Sequence, residues 1–210
     1  QRSEDIYSLL FEKNTFGEAI HQTKIKNLDV IPASIDLSAA EIELANMEEK
    51  TLKLRTLFQK NQFLGNYDYI FIDCPPALGF LTLNALGCAD SVMIPLQCEF
   101  FALEGVSHLM NTIQLVQQNI NPELTIEGVL LTMYDRRNKL SELVEKDVRS
   151  CFGDTVFNTV IPRNVRISEA PSHGKPVILY DLDCMGSQAY INLAAEFLTR
   201  NENKNLKKVA

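Results

Sequence analysis

The feature that most restricts what this chain can fold into is a succession of short, nearly continuous apolar runs: YIFI at 69–72, SVMIPL at 91–96, IEGVLLTM at 126–133 and TVFNTVI at 155–161. A strand with one wet face alternates apolar and polar residues, whereas a run apolar at consecutive positions suits a strand covered on both faces, the situation in a parallel sheet. Helical periodicity separates the runs and predicts helices over 80–88, 104–119 and 140–151, with a last one at 187–199. Strand and helix in alternation predict βαβ units in a doubly wound α/β sheet. Ahead of them, residues 4–64 carry one apolar run, LDVIPA at 28–33, which reads as a strand. Asp36 or Ser38 can cap the helix that comes next, because a short side-chain oxygen satisfies orphan amides there. Leu44, Met47, Leu52, Leu54, Leu57, Phe58 and Leu64 then recur at mostly helical spacing, predicting one amphipathic helix over 44–63.

Composition sets limits on this picture. With 46% hydrophobic residues in 210, the chain can bury a proper core, and the absence of a low-complexity linker favours one domain over 1–200 followed by a polar tail at 201–210. No stretch approaches the roughly 18 apolar residues of a membrane span, and the start lacks a signal-peptide layout, so a cytoplasmic protein is expected. Five cysteines without a CxxC pair point to plain buried or half-buried thiols. The net charge of -7 argues against a surface that coats nucleic acid all over. Residues 61–132 nevertheless contain no Lys or Arg, while 133–175 hold eight, including Arg137, Arg163 and Arg166, against six acids. A local basic face and an ordinary solvated one both fit that distribution.

The chemistry is best placed at YDYIFIDCPP, 67–76, where an apolar run ends in Asp73 and enters a Pro-Pro turn. A carboxylate at the end of a parallel strand lies in the crevice where open α/β sheets bind ligands. In P-loop NTPases this is the Walker B position, which helps to hold Mg²⁺ beside the phosphates and to position water. On the residues alone, a strand-terminal Asp that merely caps the next turn fits as well.

Three blocks carry a resemblance: residues 68–109, with DYIFIDCPPALGFLTLNAL and SVMIPLQCEFFALEG; 126–137, IEGVLLTMYDRR; and 159–181, TVIPRNVRISEAPSHGKPVILYD. In order and over most of the chain, they resemble the ParA/Soj family of deviant Walker ATPases. The resemblance implies a three-layer αβα P-loop NTPase fold with a mostly parallel sheet. It also implies an ATP-dependent homodimer, Mg²⁺ held indirectly through Asp73, nonspecific double-stranded DNA and a ParB-type protein as partners, a nucleoid location and no membrane. Carried over by residue, it places Met133, Pro162 and Asn164 on the adenine side of the nucleotide, and Arg137 and Arg166 on DNA.

The KGGxGKT phosphate loop of that family is absent: no glycine here is followed by Lys-Ser or Lys-Thr. The expectation is therefore a fold lacking its first βαβ unit, incomplete at the N-terminus, unable by itself to hydrolyse ATP and left with open sheet edges. A MinD-like membrane ATPase is the alternative, disfavoured because NENKNLKKVA offers only Leu206 and Val209 as apolar contacts. A split or degraded gene product acting as a passive binder is the non-enzymatic alternative.

Overall fold

The computed structural model describes residues 4–61 and 65–209. They form two compact units, Gln1–Asp90 with Thr112–Leu124, and Ser91–Asn111 with Thr125–Ala210.

In the first unit, two short helices, α1 (Ile6–Leu10) and α2 (Phe16–Ala19), lead into an antiparallel pair, β1 (His21–Gln22) with β2 (Asp29–Val30). Asp5 starts α1 by accepting the Ser8 N–H at 2.9 Å, an ordinary N-cap. The strand expected over 28–33 thus shrinks to two residues and pairs antiparallel with a segment that has no apolar run of its own. Helix α3 (Leu37–Ala45) begins after Asp36 as expected, yet Asp36 has helical backbone angles and its side chain makes no cap bond.

The single helix expected over 44–63 is divided: α3 ends at Ala45 and α4 spans Lys53–Gln59, while Leu64 lies outside the described residues. The reason is a buried amide on α5 (Phe80–Cys88). Asn84 accepts the Leu54 N–H at 3.1 Å and donates to the Lys50 carbonyl at 2.7 Å and the Phe80 carbonyl at 2.8 Å. Backbone groups that would have continued one helix are satisfied by a side chain instead, which removes the penalty for breaking it. Leu9, Leu10, Phe16, Ala19, Leu54 and Leu57 form the core of this unit.

The strand expected at 69–72 is not formed. Among the described residues the segment joins neither sheet, and Tyr69, Ile70 and Phe71 are exposed, Phe71 to 75%; only Ile72 packs against the core. A strand exists through its ladder, and apolar character alone does not make one.

The second unit holds the parallel sheet. β3 (Ser91–Gln97) and β4 (Thr125–Thr132) pair in parallel, with one irregularity between Val92 and Met93, and are connected through α6 (Ala102–Asn119). The first residues of α6 belong to this unit, and from Thr112 the helix belongs to the other. β4 is sealed from solvent at Gly128, Val129, Leu130 and Leu131. Gly128 has to be glycine here, since a Cβ would meet the Phe157 ring at 2.5 Å and the Thr155 carbonyl at 2.9 Å.

The strand expected at 155–161 is a broken ladder rather than a strand. Phe157 N–H donates to Val129 at 2.9 Å and Ile161 N–H to Leu131 at 2.8 Å, but the intervening Asn158 and Thr159 N–H groups go to the Glu196 carboxylate at 2.7 and 2.8 Å. Arg200 completes that staple, donating to Glu196 and to the Val156 carbonyl. Helix α7 (Lys139–Phe152) buries Val144 and Val148, and α8 (Val165–Glu169) and α9 (Val177–Tyr180) precede α10. α10 runs Met185–Val209 and takes in the polar segment from residue 201. Ala189 and Leu193 of α10 pack with Leu130, Phe157 and Ile161. Among the described residues, no helix is long and apolar enough to cross a membrane.

Candidate functional site

The carboxyl ends of β3 and β4 open into a cleft of about 880 Å³. Its walls are the 96–102 turn, the 133–141 turn and Arg163. This is the edge at which parallel α/β sheets place ligands, and the volume lies in the range of small-molecule sites. The Cys98 N–H extends the ladder by donating to the Thr132 carbonyl at 3.1 Å. Cys98 itself is buried, and that burial pushes its thiol up to about 11, so it lines the cleft as a neutral group.

Met133 comes directly after β4 and sits at φ 54°, in the left-handed region that a residue with a Cβ enters at a cost of about 1 kcal/mol or more. The ladder beyond it holds the turn. Tyr134 donates to the Ile161 carbonyl at 3.1 Å and accepts the Arg163 N–H at 3.0 Å, in parallel register with Pro162. The two segments singled out in sequence, LLTM and IPRN, are thereby joined by backbone bonds. Of their three predicted residues, only Met133 lines the cleft. Pro162 sits in the ladder, and Asn164 uses its side-chain oxygen to accept the Arg166 N–H at 2.8 Å, capping α8.

Charges of both signs surround the opening. Asp135 takes Arg137 in a fork, accepting its Nε–H at 3.0 Å, an Nη2–H at 2.9 Å and the backbone N–H at 3.0 Å. The guanidinium holds that carboxyl down to about 2. Arg163 reaches Glu99 at 3.6 Å. Phe100 and Phe101, exposed to 75% and 72%, meet edge to face at 5.1 Å on the rim. Both arginines predicted to contact DNA are in ion pairs: Arg137 as above, and Arg166 with Glu169 at 2.9 Å and Asp181 at 3.2 Å.

Glu99, Phe100, Phe101 and Asp135 are site residues not singled out in sequence, and Arg163 is marked there only as part of the basic stretch. A polar residue just past an apolar run, the pattern that singles out Asp73, recurs at QCEFF after β3 and points to the first three.

In the first unit Asp73 is exposed and outside any strand, which corrects the interior parallel strand expected to deliver it. The start of α5, a few residues on, is well fixed. The Glu41 carboxylate caps that helix, accepting the Phe80 N–H at 2.7 Å and the Leu81 N–H at 3.1 Å, a favourable placement of negative charge at a helix N-terminus. A Cβ at Gly79 would fall on that carboxylate. Among the described residues, no cluster of three or more His, Cys, Asp or Glu side chains is placed to hold a metal.

A family model described as an AAA domain, AAA_31, matches residues 1–126. The chromosome partitioning protein ParA of Caulobacter vibrioides is 53% identical over 207 residues, which is 99% of this chain and 78% of that protein. The solved structure of a putative plasmid partition protein from Borrelia burgdorferi, bound to AMPPNP, superposes with a TM-score of 0.78 at 25% identity, covering 93% of this chain and 74% of that one. A cobyrinic acid a,c-diamide synthase from Mycobacterium smegmatis, with bound ADP and magnesium, gives a TM-score of 0.69 at 37% identity, covering 77% of this chain and 64% of that one.

Proposed function

We propose that this chain, which belongs to the ParA/Soj family of chromosome partitioning proteins and has their P-loop α/β fold, serves the nucleotide-dependent partition of DNA. In this reading Met133, Pro162 and Asn164 form the base end of an ATP site, Arg137 and Arg166 contact duplex phosphates without reading sequence, and an ATP-dependent homodimer answers to a ParB-type partner. Asp73 supplies the carboxylate that holds Mg²⁺ indirectly and positions water.

The observation that carries the reading is the backbone ladder joining Tyr134 to Pro162 beside the left-handed Met133. Strain of that kind gathers at ligand sites, where surrounding structure holds it in place. The residues fit the two ends of a nucleotide unequally. The sheet edge offers a half-buried apolar surface at Met133 for a base, whereas these 210 residues contain no Gly-rich loop with Lys-Ser or Lys-Thr for the phosphates. Phosphoryl transfer is catalysed almost wholly by positioning and charge neutralisation, so the 210 residues alone are expected to show no turnover.

Phosphate release with ATP and Mg²⁺ tests this directly. Turnover by these 210 residues that disappears on Asp73→Ala would contradict it. For the DNA face, Arg137→Ala and Arg166→Ala are expected each to weaken binding to random duplex and to flatten the log–log salt dependence by about 0.9 per lost phosphate contact. Unchanged affinity and slope in both variants would remove the assignment.

A further inference from the structure

The guanidinium of Arg166 lies between two carboxylates, and the same cluster contains an aromatic stack. Nη1 donates to Glu169 Oε2 at 2.9 Å, and Nε stands 3.2 Å from Asp181 Oδ2. The Tyr180 hydroxyl donates to the same Oε2 at 3.4 Å, and its ring stacks on His173 at 4.8 Å, so the oxygen that meets the arginine is held by a second donor. Asp181 is fixed too, because its other oxygen accepts the Cys184 N–H at 3.1 Å at the approach to α10. One positive and two negative charges therefore meet between α8 and the residue that follows α9, with Arg166 still half exposed. The turn bond from Cys184 to Asp181 needs only one acceptor oxygen, and Tyr180 needs only one acceptor on residue 169. The second carboxylate charge contributes nothing that either local role requires.

We propose that Glu169 and Asp181 set the strength of DNA binding by competing with duplex phosphate for Arg166, so that the chain holds DNA more weakly and exchanges it more readily than its arginine would allow. The proposal rests on the reading of Arg166 as a phosphate contact. Exposed ion pairs are weak enough for phosphate to displace them. Displacement leaves two carboxylates close to the DNA backbone, where they repel it and take up cations, offsetting part of the counterion release that drives binding. The pair acts through Arg166 and touches no base.

Binding of the 210-residue chain to random duplex, measured across a salt series, tests the proposal with Glu169→Gln and Asp181→Asn. Both substitutions keep the oxygen that accepts from Tyr180 or Cys184, so the fold is preserved while the charge is removed. The double variant is expected to bind about three- to tenfold more tightly at moderate salt, with a log–log slope steeper by up to about 0.9. In an Arg166→Ala background the same pair of substitutions is expected to change affinity less than about twofold, the residue of general electrostatics. Equal or weaker binding by the double variant, while Arg166→Ala alone weakens binding, overturns the competition and leaves the phosphate contact standing. An Arg166→Ala variant that binds as the parent does removes the contact itself and the competition with it. Failure of both the parent and the double variant to bind at low salt also sinks both.

Discussion

Two apolar runs of similar composition meet different fates in this chain. Residues 126–132 become a strand with β3 on one side and the broken 156–162 ladder on the other, and Leu131 has no exposure to solvent. Residues 69–72 join neither sheet among the described residues and leave Phe71 exposed to 75%. The sequence difference between YIFI and VLLT does not account for this, since both are β-prone. What differs is the supply of neighbours: β4 has strand backbone within reach on both edges. The first unit is instead held by side chains that intervene in backbone bonding, Asn84 between α4 and α5 and Glu41 at the start of α5.

The largest effect should come from testing that contrast at its two ends. Leu131→Ala is expected to lower unfolding free energy in urea by about 2–5 kcal/mol, as for a fully buried leucine. Ile70→Ala, at a half-exposed site, is expected to stay within about 0.5 kcal/mol of the parent. Comparable losses from the two would mean that the 69–72 run is as deeply packed as β4.

A somewhat smaller effect is expected at Asn84. Its amide satisfies backbone groups at the junction of α4 and α5, so Asn84→Ala should cost about 1–3 kcal/mol by leaving buried polar groups without partners. It should also lower the cooperativity of the first unit, read as a broader transition by circular dichroism. A cost below about 0.5 kcal/mol would show that water replaces the side chain freely there.

The same contrast governs how much of this molecule is legible in its sequence. Helices at 80–88 and near 104–119 and 140–151, and strands near 91–96 and 126–133, can be read because each has a local pattern that its surroundings reinforce. The division of the 44–63 helix cannot, because the group that causes it lies on a later helix. The interruption at Asn158 and Thr159 is hidden in the same way, since Glu196 is far along the chain. At the site, Met133 comes from a family resemblance, and nothing in its side chain announces φ 54°, a conformation usually left to Gly, Asn or Asp. The Glu99–Arg163 pair joins positions 64 apart, beyond any local pattern.

The smallest expected effect lies on the rim of the cleft. Arg137 holds Asp135 at about 2, against an ordinary value of 3.8. A carboxylate whose folded value is depressed contributes stability that is fully present above its unfolded value and is lost as pH falls through the folded one. The contribution of this exposed pair should therefore fade between about pH 4 and pH 2. Arg137→Gln should return the Asp135 midpoint toward 3.8 in a carbon-detected NMR titration. A midpoint that stays put would show that Arg137 is not what sets it.

Hydrogen exchange read by NMR tests the central contrast most directly, comparing the β4 amides of Val129, Leu130 and Leu131 with those of Asp73, Cys74, Ala77 and Leu78. The strand amides should be among the slowest in the chain, opening only with global unfolding, while the exposed residues around Asp73 exchange orders of magnitude faster. Protection of the Asp73 segment equal to that of β4 would contradict the account, because the carboxylate would then sit on a strand as firmly held as the one that delivers Met133.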